Sequence, residues 1–295
     1  MQRLLIVGSG DVARRAAPWL LRHFRVLALV RDPAQGEAWR RMGAVPVLGD
    51  LDKPESLKRL AGLADRVLHL APPPGGGDRD ARTRHLLAAL SRGRSLPCRL
   101  VYISTTGVYG DCGGARIDET RPRRAASDRA RRRVDAEDCL RRWGAGLGVA
   151  VSILRAPGIY GTGRLPLERL QAGLPALVPE ADVYTNHIHA DDLARACCLA
   201  LFRGGAGRSF NVVDDSDLKM GDYFDRVADA AGLPRPPRVE RAELARRLSP
   251  LQLSFMAESR RIGNGRMRRE LRLKLSYPSV DQGLAAAFHQ PRNFP

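Results

Sequence analysis

The sequence predicts an α/β protein: a doubly wound parallel sheet with a smaller, mostly helical C-terminal domain. Three observations predict it. Short runs of branched apolar residues alternate with helical patterns at a regular interval as far as Asp215. The first run ends in a turn of regularly spaced small residues. Beyond Asp214 the pattern gives way to short helices and proline-broken connections.

The opening run, Leu4-Leu5-Ile6-Val7, suits a central parallel strand buried on both faces. Gly8, Gly10 and Ala13 follow at G-x-G-x-x-[G/A] spacing and lead into a helical pattern over 12–21. Gly8 permits the tight turn, Gly10 lets a pyrophosphate approach the backbone, and Ala13 lets helix and strand pack closely. The free amides of the first helical turn, with the helix dipole behind them, suit phosphate. A strand before and a helix after make this a Rossmann dinucleotide-binding fingerprint. Gly8, Ser9, Gly10, Asp11 and Val12 are the expected cofactor contacts.

Strands are expected at 25–30, 45–48, 67–70, 99–104 and 150–154. Helices are expected at 34–42, 55–63 (begun by Pro54), 79–91 and within 121–143. The stretch 71–77, three prolines and three glycines after Ala71, must be loop. Residues 157–189 carry more Gly and Pro, as a substrate-side excursion would. A helix at 191–203 and a strand at 209–213 then rejoin the sheet. The expected division is a dinucleotide-binding domain of 1–156 with 190–214, and a substrate-side domain of 157–189 with 215–295.

At 295 residues the chain can bury a full core, and no run reaches transmembrane length. The five cysteines are odd in number and lack metal-ligand spacing, so a reduced cytoplasm is expected, with no secretory signal ahead of the first strand. A net charge of +17 raises nucleic acid as a partner. Only four residues are lysine, arginine recurs in almost every predicted helix, and no aromatic residues interleave with a basic stripe. Nucleic-acid binding is therefore not expected; a phosphate-rich small molecule accounts for the field equally well. His187, His189, Asp191 and Asp192 suggest a metal site, but the His-x-His pair leads into a helix that Asp191 is placed to cap. No metal is expected, and His69 reads as a core histidine.

Further pieces carry a family resemblance: Gly49-Asp50-Leu51, Tyr102 to Gly110 with Thr105 inside it, Leu154 to Gly161, and Ile188 to Ala194. In this order, after the opening fingerprint, they resemble the extended short-chain dehydrogenase/reductase family, in its NAD-dependent epimerase/dehydratase-like branch. The resemblance implies that Asp50 and Leu51 border the adenine and that Ala71 and Pro72 line the ribose and phosphate side. It implies that Thr105 orients substrate and that Pro157 and Gly158 pass beside the nicotinamide. Asp50 also reads as a turn residue and Pro157 as a strand stop.

The second strand ends Val30-Arg31-Asp32. An acidic residue there would bind the adenosine ribose, whereas the guanidinium of Arg31 suits a 2′-phosphate. NADP is therefore preferred, with NAD as the alternative if Asp32 takes the ribose.

The family's usual proton donor is a tyrosine four residues before a lysine. Counting back from Glu137 places Arg133 and Arg129 at those two positions, and no tyrosine stands between Tyr109 and Tyr160. Arginine stays protonated and cannot serve as a base near neutrality. Arg133 can still hold a ribose hydroxyl or phosphate, and Arg129 can offer fixed charge to an anionic substrate. Tyr109 is the first candidate for a displaced proton donor, at an expected pocket mouth; Tyr160 and Asp111 follow. The expected function is an atypical NAD(P)-dependent oxidoreductase acting on a small anionic molecule. The alternatives are a non-catalytic NADP(H)-sensing regulator and a nucleotide-sugar epimerase or dehydratase. A monomer and a homodimer are both open.

Overall fold

The computed structural model describes residues 1–289. Seven strands form one parallel sheet: β1 (Arg3–Val7), β2 (Arg25–Val30), β3 (Val45–Leu48), β4 (Arg66–His69), β5 (Arg99–Thr105), β6 (Ala150–Ala156) and β7 (Arg208–Asn211). Their order is β3-β2-β1-β4-β5-β6-β7, so the direction of winding reverses between β1 and β4. As the apolar run predicts, β1 is central, and Leu4, Leu5, Ile6 and Val7 are fully buried. Alternation along the strand sends Leu4 and Ile6 to one face and Leu5 and Val7 to the other.

Helices cover both faces. On the Leu4 side lie α1 (Asp11–His23) and, later in the chain, α6 (Ala190–Arg203), with α2 (Pro33–Arg41) toward the β3 edge. On the Leu5 side lie α3 (Ala81–Leu90) and α4 (Asp128–Leu147). The helix expected at 55–63 is instead a 3₁₀ helix at Pro54–Leu60, packed through Leu57 and Leu60. α4 starts later than the arginine-rich pattern suggests, because Ser127 caps it by accepting a hydrogen bond from Ala130 N.

A second core joins the 160–177 excursion to later elements. It contains α5 (Leu167–Gln171), α7 (Met220–Ala231), α8 (Arg241–Arg247), α9 (Pro250–Phe255) and α10 (Val280–His289). The C-terminal stretch does not stay on that side throughout: Met267, Leu271 and Leu273 pack back into the main core beside α6. One short pairing crosses between the halves: Arg261–Ile262 runs parallel to Arg116–Ile117. Another closes the excursion on itself, with His187–His189 parallel to Gly158–Tyr160.

Candidate functional site

A cleft of ≈ 410 Å³ opens at the C-terminal ends of β1, β2 and β4, where the strand order reverses. Its floor is the β1–α1 turn. Gly8 has φ +95°, and a Cβ there would lie 2.3 Å from the amide nitrogen of Ala71. Glycine therefore lets this turn sit against the loop after β4. At Gly10 a Cβ would meet nothing within 4 Å, so the space before it is open to a ligand. The first intrahelical bond of α1 runs from Arg14 N to Gly10 O, which leaves the amides of Asp11, Val12 and Ala13 without helical partners. These features fit a diphosphate. The Asp11 carboxylate would oppose an anion, but Arg15 (3.0 Å) and Arg164 (2.6 Å) counter its charge.

The residues expected to bind cofactor converge here. Gly8, Ser9, Gly10, Asp11 and Val12 share this cleft with Arg31, Asp50, Leu51, Ala71, Pro72 and Arg133. Asp50 is a turn residue and a cleft wall at once, because its Oδ1 accepts from Asp52 N at 3.0 Å. Arg31 and Arg14 line the cleft, whereas Asp32 caps α2 by accepting a hydrogen bond from Ala34 N at 2.9 Å. Arg133 donates to the Tyr102 hydroxyl at 2.9 Å and to the Ile103 carbonyl at 2.8 Å. Two ion-paired arginines of the wall, Arg82 and Arg164, are among the residues that escape sequence reasoning. Arg82 pairs with Asp52 at 2.6 Å, holding that carboxyl below its usual range, and donates to the Pro72 carbonyl. Their partners are distant in sequence, so no local spacing flags them.

Pro157 lines a different space, a cavity of ≈ 480 Å³ beside the cleft, with Ile159 on the wall of both. Thr105 is there too, its Oγ1 accepting a hydrogen bond from Gly107 N at 3.2 Å. Arg129 stands at the rim with its guanidinium 4.2 Å from the centre of the Phe255 ring, and Arg169 lies 4.6 Å from that of Phe224. Arg260 and Glu258 form an ion pair at 2.6 Å. His187 stacks on Tyr223 at 4.0 Å and makes no hydrogen bond through its ring among the described residues. Burial pushes its pKa down to about 3, so the imidazole is neutral.

The tyrosines proposed as proton donors are elsewhere. Tyr109 is not at a pocket mouth: it is 1 % exposed and lines neither space. The 3₁₀ turn Thr106–Tyr109 turns it inward, where its hydroxyl donates to Asn211 Oδ1 at 2.7 Å and accepts from Arg155 Nη1 at 2.8 Å. Burial raises its pKa. Tyr160 is also 1 % exposed; its hydroxyl donates to the Ser279 carbonyl at 3.1 Å, and burial raises its pKa strongly. Asp111 is a surface turn residue that accepts from Ser259 N at 2.7 Å. The cap of α6 is His189 rather than Asp191: its Nδ1 accepts from Asp191 N, while Asp191 pairs with Arg15 at 2.6 Å. Among the described residues no cluster of His, Cys, Asp or Glu has the arrangement of a metal site. His69 is buried in the core, bonded to Thr83 Oγ1 at 2.9 Å.

A parallel sheet with this strand order, a glycine-floored cleft at its switch point and an adjoining cavity define a Rossmann-type nucleotide-binding protein. The chain belongs to the NAD dependent epimerase/dehydratase family, whose sequence profile matches residues 4–213. It is 28 % identical over 278 residues to GDP-6-deoxy-D-mannose reductase of Pseudomonas aeruginosa, covering 83 % of this chain and 87 % of the relative. It is 31 % identical over 138 residues to Protein YeeZ of Escherichia coli K12; that match spans 47 % of the chain and about half, 48 %, of the relative. A functionally unknown conserved protein from Silicibacter pomeroyi superposes with a TM-score of 0.78 at 32 % identity, covering 97 % of this chain and 98 % of that one. A dTDP-glucose 4,6-dehydratase from Streptomyces venezuelae, solved with NAD bound, gives 0.78 at 21 % identity over 98 % and 96 %, a likeness of fold.

Proposed function

We propose that this protein is an NADP(H)-dependent oxidoreductase that holds its dinucleotide in the glycine-floored cleft and a small anionic substrate in the adjoining cavity. One observation carries the choice of dinucleotide: Arg31 faces the cleft while the Asp32 carboxylate is spent on capping α2. A ribose hydroxyl then lacks its acidic partner, and a 2′-phosphate gains a guanidinium. The bound dinucleotide supplies hydride chemistry. The chain's own groups would position the reactants: Arg133 would hold the ribose end, Thr105 would orient the reacting oxygen, Arg129 would attract the substrate's charge, and water reaching the open cavity would exchange the proton. Calorimetric titration with NADPH and NADH tests the reading. Tighter NADPH is expected, and tighter NADH would overturn it.

The burial of Tyr109 and Tyr160 favours a second reading, an NADP(H)-responsive regulator without turnover. A cavity walled on several sides, rather than a shallow apolar face, supports the enzyme. NADPH oxidation assayed against a panel of organic acids and aldehydes separates the two. Among the described residues no helix is long and apolar enough to cross a membrane.

A further inference from the structure

We propose that His187 binds an uncharged oxygen of the substrate, a carbonyl or a hydroxyl, by donating a hydrogen bond from Nε2 into the cavity; this rests on the function proposed above.

The local pairing turns the ring toward the cavity. His187 is the direct partner of Gly158 in the short parallel ladder, so the two side-chain positions share a face. Glycine leaves its position empty. A Cβ at residue 158 would stand 3.3 Å from His187 Cδ2 and 3.8 Å from Nε2. That edge of the ring therefore borders space which any larger residue at 158 would take. His187 and Gly158 line the cavity together with Thr105 and Pro157. Tyr223 covers one face of the imidazole, stacked at 4.0 Å, and the Tyr160 ring lies perpendicular to it at 6.1 Å. Only 3 % of the residue stays exposed, and of its two ring nitrogens Nδ1 alone is sealed from solvent.

Its bonding sets His187 apart. The rings of His23, His69, His85 and His189 each have a hydrogen-bond partner: the Trp19 carbonyl, Thr83 Oγ1, the Leu51 carbonyl and Asp191 N. Among the described residues His187 has none at either nitrogen. A buried imidazole in that state forfeits the bonds that water gave it, and a partner from outside the chain restores one. The neutral ring carries one donor nitrogen and one acceptor. An orphaned buried N–H is rarer than an under-used acceptor, which puts the lone pair on sealed Nδ1 and the hydrogen on Nε2.

The surroundings decide what that hydrogen meets. Burial is what lowers the His187 pKa, and no carboxylate acts on the ring. It therefore lacks the partner that would make it a general base, and its role is to hold the oxygen rather than to move the proton. A neutral N–H suits a carbonyl or hydroxyl. A carboxylate at the same spot would draw a second proton onto the ring, which burial opposes.

The test is nitrogen NMR of the full chain with labelled histidine, in the presence of NADP⁺, with hydroxyacetone and acetate as probes. The His187 signals, identified by their loss in His187→Phe, are expected to show the hydrogen on Nε2. Hydroxyacetone should shift the Nε2 resonance saturably, acetate should leave it in place, and His69 should respond to neither. His187→Phe keeps a ring on Tyr223 and should weaken hydroxyacetone about tenfold, read from the Gly158 amide; His187→Gln restores an N–H and should recover part of the loss. A hydrogen on Nδ1, no shift with hydroxyacetone, a larger shift with acetate, or equal weakening in both variants overturns the proposal. Absence of NADP⁺ binding overturns the proposed function. Any of those His187 results in protein that binds NADP⁺ overturns this assignment alone.

Discussion

Arg155 grips Glu137 with two parallel hydrogen bonds, Nε to Oε1 at 3.0 Å and Nη2 to Oε2 at 2.7 Å, both side chains being almost fully buried. Burial alone would raise the Glu137 pKa, but Arg155, with the charge of Arg123 adding to it, more than offsets this and holds the carboxyl below its ordinary value. The third arm of the guanidinium, Nη1, reaches Tyr109. The residue that sequence reasoning nominated as proton donor is thus the end of a structural brace between α4 and β6.

Removing one partner of that brace leaves an uncompensated charge inside the protein. Glu137→Ala is expected to cost roughly 3–5 kcal/mol of stability, read from urea unfolding. Tyr109→Phe deletes only the hydroxyl and should cost about 1–3 kcal/mol. The two variants should keep the affinity for NADPH while folded. A large loss of binding in folded Tyr109→Phe would return this tyrosine to the active site.

The two glycines of the opening turn predict opposite outcomes. Gly8→Ala places a methyl 2.3 Å from Ala71 N at a positive φ, so destabilisation should dominate. Gly10→Ala enters open space with φ −82°, and stability should change by no more than about 0.5 kcal/mol. The same methyl stands where the diphosphate would approach, and NADPH affinity is expected to fall at least about tenfold. Melting curves and NADPH titration of both variants check the contrast.

Arg31→Ala should weaken NADPH by about 10–100-fold and leave NADH nearly unchanged, as expected for one charge-assisted contact to a 2′-phosphate. Asp32→Ala should cost about 1 kcal/mol of stability through the lost cap, without altering the NADPH-to-NADH preference. A preference that moves with Asp32 instead would assign the ribose to that carboxylate.

Asp214 supplies a pH signature. Buried beside Tyr160 and Tyr223, its pKa is pushed up to about 7 from an ordinary 3.8, with Asp215 adding to the rise and hydrogen bonds from Ser216 opposing it. Between those values the folded state holds the extra proton, so this group's contribution is present below about pH 4 and lost as pH rises toward 7. His69 and His187 act oppositely: burial lowers each to about 3, so their contribution is lost as pH falls from 6.5 toward that value. Asp214→Asn should therefore gain stability relative to the unaltered chain between pH 5 and pH 8, by a few kcal/mol at most. Urea midpoints at the two pH values measure it, and a constant difference would exclude the elevated pKa.

Much of the fold is legible because it is local. The runs at 25–30 and 45–48 coincide with β2 and β3, since branched apolar residues between turn formers leave the backbone few alternatives. The cleft is legible for a related reason: its residues follow strand ends, where a doubly wound sheet collects them. The cavity is different. Arg169, Tyr223 and Phe255 come from three short helices that meet only in the tertiary structure. Tyr109 deceived for the same reason, because its partners Arg155 and Asn211 lie 46 and 102 residues downstream. No periodicity around Tyr109 records which way its ring turns.

The register of the late pairing, Arg261–Ile262 beside Arg116–Ile117, has a consequence for the growing polypeptide. Among the described residues, every wall of the proposed dinucleotide cleft lies at or before Arg164, while the neighbouring chamber is lined by residues as late as Arg260. A nascent chain leaving the ribosome through Asn211 therefore carries every lining residue of the proposed nucleotide site before its second chamber exists. Vectorial synthesis then completes the proposed nucleotide site first, and the chamber proposed for the other reactant closes last.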